Sequence, residues 1–131
     1  MLPGQRRIRR ADEFRAVMRG SARAGSATLV VHLGRLPEHP GQDAQAPARA
    51  GFVVGRSVGG AVARNRVRRR LRHDIAPLLD QVPAGWGVVV RALPGAAGAT
   101  GPVLRADLAA ALRRCVTRVG HGPETEPVVS R

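Results

Sequence analysis

The order of apolar and polar positions along the chain predicts six secondary-structure elements. In three segments the apolar residues recur at every third or fourth position, as on the buried face of an amphipathic helix. In three others they alternate or run together, as in strands. In chain order, we predict a helix at 12–19, strands at 27–34 and 50–55, a helix at 61–76, a strand at 86–93 and a helix at 102–116. This α-β-β-α-β-α order predicts an α+β fold in which helices pack on a small sheet.

The segments between these elements predict a single domain over residues 1–118. Residues 1–10 form a basic arm, and residues 36–48 contain three prolines without helical or strand periodicity, which favours a mobile loop. That loop would join the first two strands as antiparallel neighbours. Residues 119–131 contain scattered glycine and proline and predict a disordered tail.

The helix at 61–76 has an apolar side and an arginine-rich side. Six of the nine residues at 64–72 are arginine. At about 100° per residue, Val67, Leu71 and Ile75 share one side, and the arginines cover most of the remainder. Like charges three and four positions apart destabilise a helix, and no carboxylate on the arginine side offsets them. Such repulsion is better explained by a polyanionic partner than by a solvated surface.

Composition favours a nucleic acid as that partner. The chain has 22 Lys and Arg, every one of them arginine, against 9 Asp and Glu, which gives a formal net charge of +13. Arginine presents a fork-shaped, permanently charged group that suits phosphate and base edges. The hydrophobic fraction of 44% excludes a disordered basic tail, although only three aromatic residues are available for stacking on bases.

The sequence gives no support to a protein-based catalytic centre. The acidic residues are scattered, so no cluster of carboxylates indicates a metal site, and Asp74 is expected to pair with a neighbouring arginine. The single cysteine, Cys115, lies on the apolar side of the last helix and excludes a disulfide framework or a cysteine-rich zinc site. No segment has the apolar length of a signal peptide or a membrane span. We therefore expect a soluble, cytoplasmic binding protein.

The run that leads into the arginine helix resembles a known family signature. The matching residues are Gly51-Phe52-Val53-Val54, Gly55-Arg56, Val58-Gly59, Ala61-Val62, Arg64-Asn65-Arg66, Arg68-Arg69 and Arg72. They resemble the signature of the protein subunit of bacterial ribonuclease P, and the Arg-Asn-Arg core is its most specific part. The match extends to Phe14 and Gly20, and the order of elements suits the family across about residues 6–118.

This resemblance implies both a fold and a function. The strands at 50–55 and 86–93 would be parallel within a small mixed sheet, joined through the arginine helix by a left-handed crossover. In that family the RNA subunit catalyses the hydrolysis that removes the 5′ leader of precursor tRNA, with magnesium bound mainly by the RNA subunit and the substrate. The protein is a non-catalytic subunit of this endonuclease, one per RNA, that binds the ribonuclease P RNA and the leader and supports metal binding.

The resemblance also implies which residues make these contacts. The residues expected to face RNA are Arg56, Arg64, Asn65, Arg66, Arg68, Arg69 and Arg72. The residues expected to line a cleft for the leader are Phe14, Met18, Val31 and Phe52. Met18 and Val31 stand where an aromatic residue is common in the family, and Phe14 and Phe52 are at least as well interpreted as core residues. Asn65 would act on magnesium indirectly, through water or a phosphate, or would simply bond nearby backbone.

Two other interpretations of the charge stay open at this point. A structural RNA-binding protein of ribosomal-protein type would share the size, the charge and the arginine helix. A DNA-binding helix in the major groove is the weaker alternative, because nothing resembles a helix-turn-helix and no dimer seam is visible. Binding to the leader of precursor tRNA would separate a ribonuclease P protein from the ribosomal type.

Overall fold

A computed structural model describes residues 2–20, 22–38 and 46–120 of the chain. Its main elements are α1 (Ala11–Met18), β1 (Ala22–Gly25), β2 (Leu29–Arg35), β3 (Arg49–Val53), α2 (Ala61–Ile75), β4 (Trp86–Ala92) and α3 (Gly101–Gly120). Short 3-10 helices lie at Gly4–Arg6, Ala76–Gln81 and Pro94–Ala96. All six predicted elements are present with the predicted type. The additional strand, β1, consists of alanine, arginine and glycine, which carry no strand signal of their own.

The four strands form one mixed sheet in the order β1-β2-β4-β3. Strand β2 is antiparallel to both β1 and β4, whereas β3 is parallel to β4. The parallel pair implied by the family resemblance is therefore confirmed, and the hand of its crossover stays a prediction. The predicted antiparallel pairing of β2 with β3 is wrong, because β4 lies between them. The reason is burial: β4 has apolar residues on both faces and takes a central position in the sheet.

One face of the sheet carries the main core. The side chains of Leu29, Val31 and Leu33 in β2 and of Val88 and Val90 in β4 are fully buried on this face. Helices α2 and α3 cover it with an apolar stripe each, made of Val67, Leu71 and Ile75 in α2 and of Leu104, Leu108 and Leu112 in α3. The apolar side predicted for the arginine helix is thus the side that packs on the sheet.

The other face of the sheet supports α1 at very short distance. A Cβ built on Gly87 of β4 would lie 2.8 Å from Cγ2 of Val17, and one built on Gly51 of β3 would lie 2.6 Å from the Phe14 ring. Gly34 of β2 is similar, with 3.1 Å to the Cα of Val17. Glycine in three adjacent strands therefore lets the helix backbone come close to the sheet. We call these residues, Gly34, Gly51 and Gly87, the glycine floor.

A buried ion pair fixes α1 on the glycine floor. Glu13 in the first turn of α1 is fully buried, and its carboxylate accepts hydrogen bonds from Nη2 and Nη1 of Arg49 at 2.7 and 3.3 Å. It also accepts the backbone N–H of Arg10 at 3.3 Å, which satisfies a donor at the helix start. Burial acts to raise the pKa of Glu13, but the hydrogen bonds from Arg49 and from the backbone outweigh it and leave the pKa below its ordinary value.

The basic arm is folded against the edge strand β3. The backbone N–H of Ile8 donates to the Ala50 carbonyl at 2.8 Å, and Arg7 forms a parallel bridge with Ala50. Leu2 is buried in the main core, while Ile8 is buried beside α1 with Val17. The arm thus passes around the sheet edge from one face to the other and covers that edge.

Helix α3 covers the opposite edge with two of its arginines. Arg114 donates to the Gly25 carbonyl and Arg118 to the Arg23 carbonyl, each at 2.8 Å. Both carbonyls belong to β1, so these side chains satisfy acceptors that an edge strand would otherwise expose.

The last helix is longer than its sequence pattern predicts. It runs to Gly120, past the predicted end at residue 116, and the tail predicted from residue 119 is corrected for its first two residues. Val119 packs partly buried against the main core, which explains the extension. Cys115 is buried, as predicted, and its thiol lies 3.5 Å from the Val31 carbonyl. The remaining tail, 121–131, and residues 39–45 of the predicted loop lie outside the described residues.

None of the helices in the described ranges combines the length and the apolar character that a membrane crossing requires.

The Glu13–Arg49 pair predicts an acid-sensitive loss of stability. Glu13→Gln leaves the Arg49 charge mostly buried without its counter-charge, so the free energy of unfolding should fall by about 3 kcal/mol at pH 7. Because the folded-state pKa of Glu13 lies below its usual value of 4.5, the contribution is complete above that pH and is lost as pH falls through the folded pKa. Urea unfolding between pH 7 and pH 3 measures both effects.

The exposed pair of Arg10 with Asp12, 3.2 Å apart, provides the control. Asp12→Asn should cost less than about 1 kcal/mol. Wild type and Glu13→Gln should differ less in the free energy of unfolding at pH 3 than at pH 7. A difference that stays the same in acid would contradict the ion pair.

Candidate nucleic-acid interface

Helix α2 presents its arginines to solvent on the side away from the sheet. Asn65, Arg66 and Arg69 are exposed, and Arg64, Arg68 and Arg72 are half-buried at the margins of the apolar stripe. The predicted division between an apolar and an arginine side is therefore confirmed. Arg64 keeps its Nε buried, with no hydrogen-bond partner among the described residues. Such a donor is costly to leave unpaired in a protein.

A glycine-bearing turn sets the direction in which α2 leaves the sheet. After β3, the backbone N–H of Val58 donates to the Gly55 carbonyl and that of Gly59 to the Arg56 carbonyl, both at 3.1 Å. Gly59 has φ +151°, which a residue with a side chain rarely adopts, and Gly60 is the N-cap of α2. Arg56 is exposed in this turn, next to the helix N-terminus, whose first turn contains no acidic residue. The N-terminal end of α2 is therefore strongly positive.

The side chain of Asn65 organises a neighbour on this surface. Its Oδ1 accepts a hydrogen bond from Nη1 of Arg68 at 3.1 Å, and this bond is exposed to solvent. Because the two residues are one turn apart, the bond holds the guanidinium of Arg68 along the helix surface. The Asn65 side-chain oxygen is therefore bonded to the Arg68 side chain, and not to nearby backbone as the alternative interpretation expected.

The folded arm brings a second arginine cluster to α2. Burial and the guanidinium groups of Arg7 and Arg68 lower the pKa of Arg72, so these three cations lie close enough to repel one another. Clusters that are about sixty residues apart in the sequence thus adjoin in the fold. We call this surface the basic face, defined by Arg7, Arg56, Arg64, Asn65, Arg66, Arg68, Arg69 and Arg72.

A second surface lies beside α1, on the same sheet face as the glycine floor. Phe14 and Met18 are half-buried there and pack with Val53 and the buried Val89. Further along the sheet, Val30 of β2 and Arg91 of β4 are register partners and half-buried. We call this surface the α1 cleft.

Val31 and Phe52 are wrong as members of that cleft. Val31 has no exposed surface, and Phe52, the register partner of Val90, packs with the main core on the opposite face. The reason is the two-residue alternation of strands, by which a shift of one position moves a side chain to the other face. The cleft positions are their sequence neighbours, Val30 and Val53.

His32 is a neighbour of the α1 cleft that the sequence-based predictions do not include. It is buried on the α1 face, its Nε2 has no hydrogen-bond partner in the described segments, and its ring bonds the backbone of Met18. Burial lowers the pKa of His32, and the guanidinium groups of Arg91 and Arg23 lower it further. Successive side chains of a strand point to opposite faces of the sheet, so His32 of β2 lies on the face opposite to that of Val31. This alternation predicts the position of His32 from the sequence.

Side chains that could bind a metal ion are not clustered in the described residues. Within residues 2–20, 22–38 and 46–120, no group of three or more His, Cys, Asp or Glu is arranged to hold a metal ion. Asp74 is buried and its Oδ2 has no hydrogen-bond partner in these ranges, so its expected pairing with an arginine is not formed at that oxygen. Burial raises the pKa of Asp74.

Comparisons with known proteins agree on one family. The sequence matches the family described as Ribonuclease P over residues 2–116. It is 51% identical over 117 residues to the ribonuclease P protein component of Streptomyces bikiniensis, covering 87% of this chain and 94% of that protein. It is 44% identical over 119 residues to the same component of a Mycobacterium species, covering 91% and 97%.

Solved structures share the fold at lower sequence identity. The RNase P protein from Staphylococcus aureus aligns with a TM-score of 0.66 at 20% identity, over 88% of this chain and 93% of that one. The RNase P protein from Thermotoga maritima aligns with a TM-score of 0.63 at 22% identity, over 85% and 96%.

A side chain added to the glycine floor should disturb the packing of α1 on the sheet, and with it the α1 cleft. In Gly87→Ala the new Cβ would overlap Val17, whose branched side chain cannot turn away, so α1 must move. We expect a loss of about 1–3 kcal/mol in the free energy of unfolding, measured in urea. Gly55→Ala is the matched control, because nothing lies within 4 Å of a Cβ there. Equal losses in the two variants would contradict the close contact.

Proposed function

Because the chain belongs to the ribonuclease P protein family, we propose that it is the protein subunit of a bacterial ribonuclease P. It binds the catalytic RNA, one protein per RNA in the cytoplasm, and takes part in the endonucleolytic removal of the 5′ leader from precursor tRNA. The family matches favour this role over that of a ribosomal-type protein. The observation that carries the proposal is the convergence of the arm and α2 into one basic face, with Arg7 beside Arg72.

The basic face binds the phosphates of the catalytic RNA. Guanidinium groups donate paired hydrogen bonds to phosphate oxygens, and the side chains of Arg66 and Arg69 are exposed and can make such bonds. The bond from Arg68 to Asn65 reduces the freedom of its guanidinium before binding, so less entropy is lost when a phosphate is engaged. Repulsion among these cations, unfavourable in the free protein, is relieved when phosphates lie between them.

The α1 cleft holds the leader of the substrate. Phe14 provides one half-buried ring, and Met18 and Val30 provide apolar surface on which bases can lie. Arg91 lies beside Val30 on the same face and supplies charge for the leader backbone. With a single aromatic ring in the cleft, phosphate contacts contribute more of the binding and base stacking less.

We assign magnesium to the RNA and the substrate rather than to the protein. The surroundings of Asn65 do not fit a protein-bound magnesium ion, because the amide oxygen is engaged by Arg68 and the adjacent side chains are cationic. Magnesium prefers oxygen ligands and keeps several of its waters. The contribution of the basic face is to hold RNA phosphates in place and reduce their mutual repulsion.

Reconstitution tests the proposal directly. At a magnesium concentration too low for a bacterial ribonuclease P RNA to act alone, the wild-type chain should restore cleavage at the mature 5′ end of tRNA. Gel analysis of a labelled precursor measures the rate and the position of the cut. Absence of any stimulation would contradict the proposal.

The same system locates the RNA contacts on the basic face. In Arg68→Ala/Arg69→Ala, the dependence of log Kd for the RNA on log salt concentration should flatten by about 1.4, at about 0.7 for each lost phosphate contact. Arg113→Gln, an exposed arginine of α3, is the control and should leave the slope unchanged. If the double substitution leaves the salt dependence of log Kd unchanged, Arg68 and Arg69 do not contact RNA phosphates.

A further inference from the structure

Val62 is an apolar side chain on the solvent-facing side of α2. It is 73% exposed, and among the large apolar residues in the described part of the chain only Val103, at 47%, is exposed as well. The other large apolar residues of α2, which are Val67, Leu71 and Ile75, are buried against the sheet. Val62 belongs to neither cluster of core residues, so packing within the protein does not explain its presence.

The surface around Val62 is cationic and belongs to the basic face. At about 100° per residue, three exposed residues lie within about 60° of Val62 around the helix axis, namely Asn65, Arg66 and Arg69. Asn65 and Arg66 are about one turn away along the helix, and Arg69 is about two turns away. Arg56 is exposed in the turn that precedes the helix. The one exposed apolar side chain of the helix that is large therefore lies among groups that attract a polyanion.

The amide of Asn65 keeps its donors available beside Val62. Its Oδ1 is engaged by the guanidinium of Arg68, which leaves Nδ2 at the other end of the planar amide. Nδ2 makes no hydrogen bond within residues 2–20, 22–38 and 46–120. An exposed amide donor can bond an acceptor on the edge of a base whose face rests on a neighbouring apolar side chain. Val62 and Asn65 together therefore offer both kinds of contact that a base makes.

The chemistry of this surface selects the part of a nucleic acid that fits Val62. A phosphate gains nothing from an apolar neighbour, whereas the flat face of a base does. In an A-form helix the base faces are stacked on one another, so a free face is offered only by a base in a loop, a bulge or a single strand. A second copy of this chain does not fit, because it would bring one basic face against another.

We infer that Val62 is the contact for an unstacked base of the catalytic RNA, with the Asn65 amide donating to the edge of that base. The inference rests on the proposed function, because it takes the ligand to be the ribonuclease P RNA. Arg66 and Arg69 hold the phosphates on either side. Phosphate contacts carry no information about position along an RNA, whereas a base contact does. Val62 therefore determines which part of the RNA the basic face engages, and the arginines supply most of the affinity.

Binding of the RNA subunit over a range of salt concentrations tests the inference. Val62→Ala should raise Kd about fivefold at every salt concentration, because the lost contact is apolar. The plot of log Kd against log salt should shift without a change of slope, whereas Arg69→Gln should flatten it by about 0.7. Alanine is the better helix former, so loss of folding does not imitate loss of contact.

Two further variants are matched controls for Val62→Ala. Val62→Ile keeps an apolar side chain at the position and should bind the RNA as tightly as wild type. Val103→Ala removes the other exposed valine, which lies on α3 and outside the basic face, and should not change Kd.

A crosslink then identifies the base. Cys115 is the single cysteine of the chain, it is buried, and burial raises the pKa of its thiol. In Val62→Cys a thiol-directed photoreactive group therefore attaches at position 62. Irradiation of the complex should mark a nucleotide outside the helices of the RNA. Removal of that base should weaken binding of wild type about fivefold and of Val62→Ala no further, because both changes delete the same contact.

The outcomes separate this inference from the proposed function. If wild type does not bind the RNA at all, the proposed function fails and the base contact with it. If wild type binds, three results overturn the base contact alone. These are an unchanged Kd in Val62→Ala, an equal loss of affinity in Val103→Ala, and additive losses from Val62→Ala and the removal of the base.

Discussion

The contact between Glu13 and Arg49 is the interaction on which the position of α1, and with it the α1 cleft, depends. It joins the first turn of α1 to the first residue of β3 through a carboxylate with no exposed surface. Removal of either partner would leave a buried charge uncompensated, so the pair defines one position of α1 rather than a range of positions. The glycine floor then determines how closely α1 approaches, and together they shape the α1 cleft. The arm ends at the same helix start, where the Arg10 N–H bonds Glu13.

Arginine has two different roles in this chain, and the fold separates them. Arg49, Arg114 and Arg118 are engaged by a carboxylate or by strand carbonyls and act as structural groups. In the basic face, burial and the neighbouring charges of Arg7 and Arg68 lower the pKa of Arg72, so these three arginines lie close enough to repel one another. A free protein gains nothing from such repulsion, whereas an RNA partner turns it into binding energy. A high net charge therefore does not by itself say how many charges bind RNA.

Most of the fold and of the basic face can be predicted from the sequence, whereas the residues of the α1 cleft cannot. The continuous apolar run at Val88–Val90 predicts a buried strand, and the spacing of Val67, Leu71 and Ile75 predicts which side of α2 is buried. The position of β4 between β2 and β3 depends on long-range pairing that local patterns do not contain. For the cleft, register matters most: residue 31 and residue 30 differ by one position and lie on opposite faces of the sheet. The proximity of Arg7 to Arg72 likewise requires the folded arm.

The most direct measurement compares the two surfaces in one reconstituted enzyme. For each variant, one measures the affinity for the RNA subunit and the preference of the complex for precursor tRNA over mature tRNA. We expect Phe14→Ala to reduce the preference for precursor by about tenfold and to leave RNA binding unchanged. Arg69→Gln should weaken RNA binding and leave the preference unchanged. Equal effects of both variants on both quantities would contradict the assignment of the basic face to the catalytic RNA and of the α1 cleft to the leader.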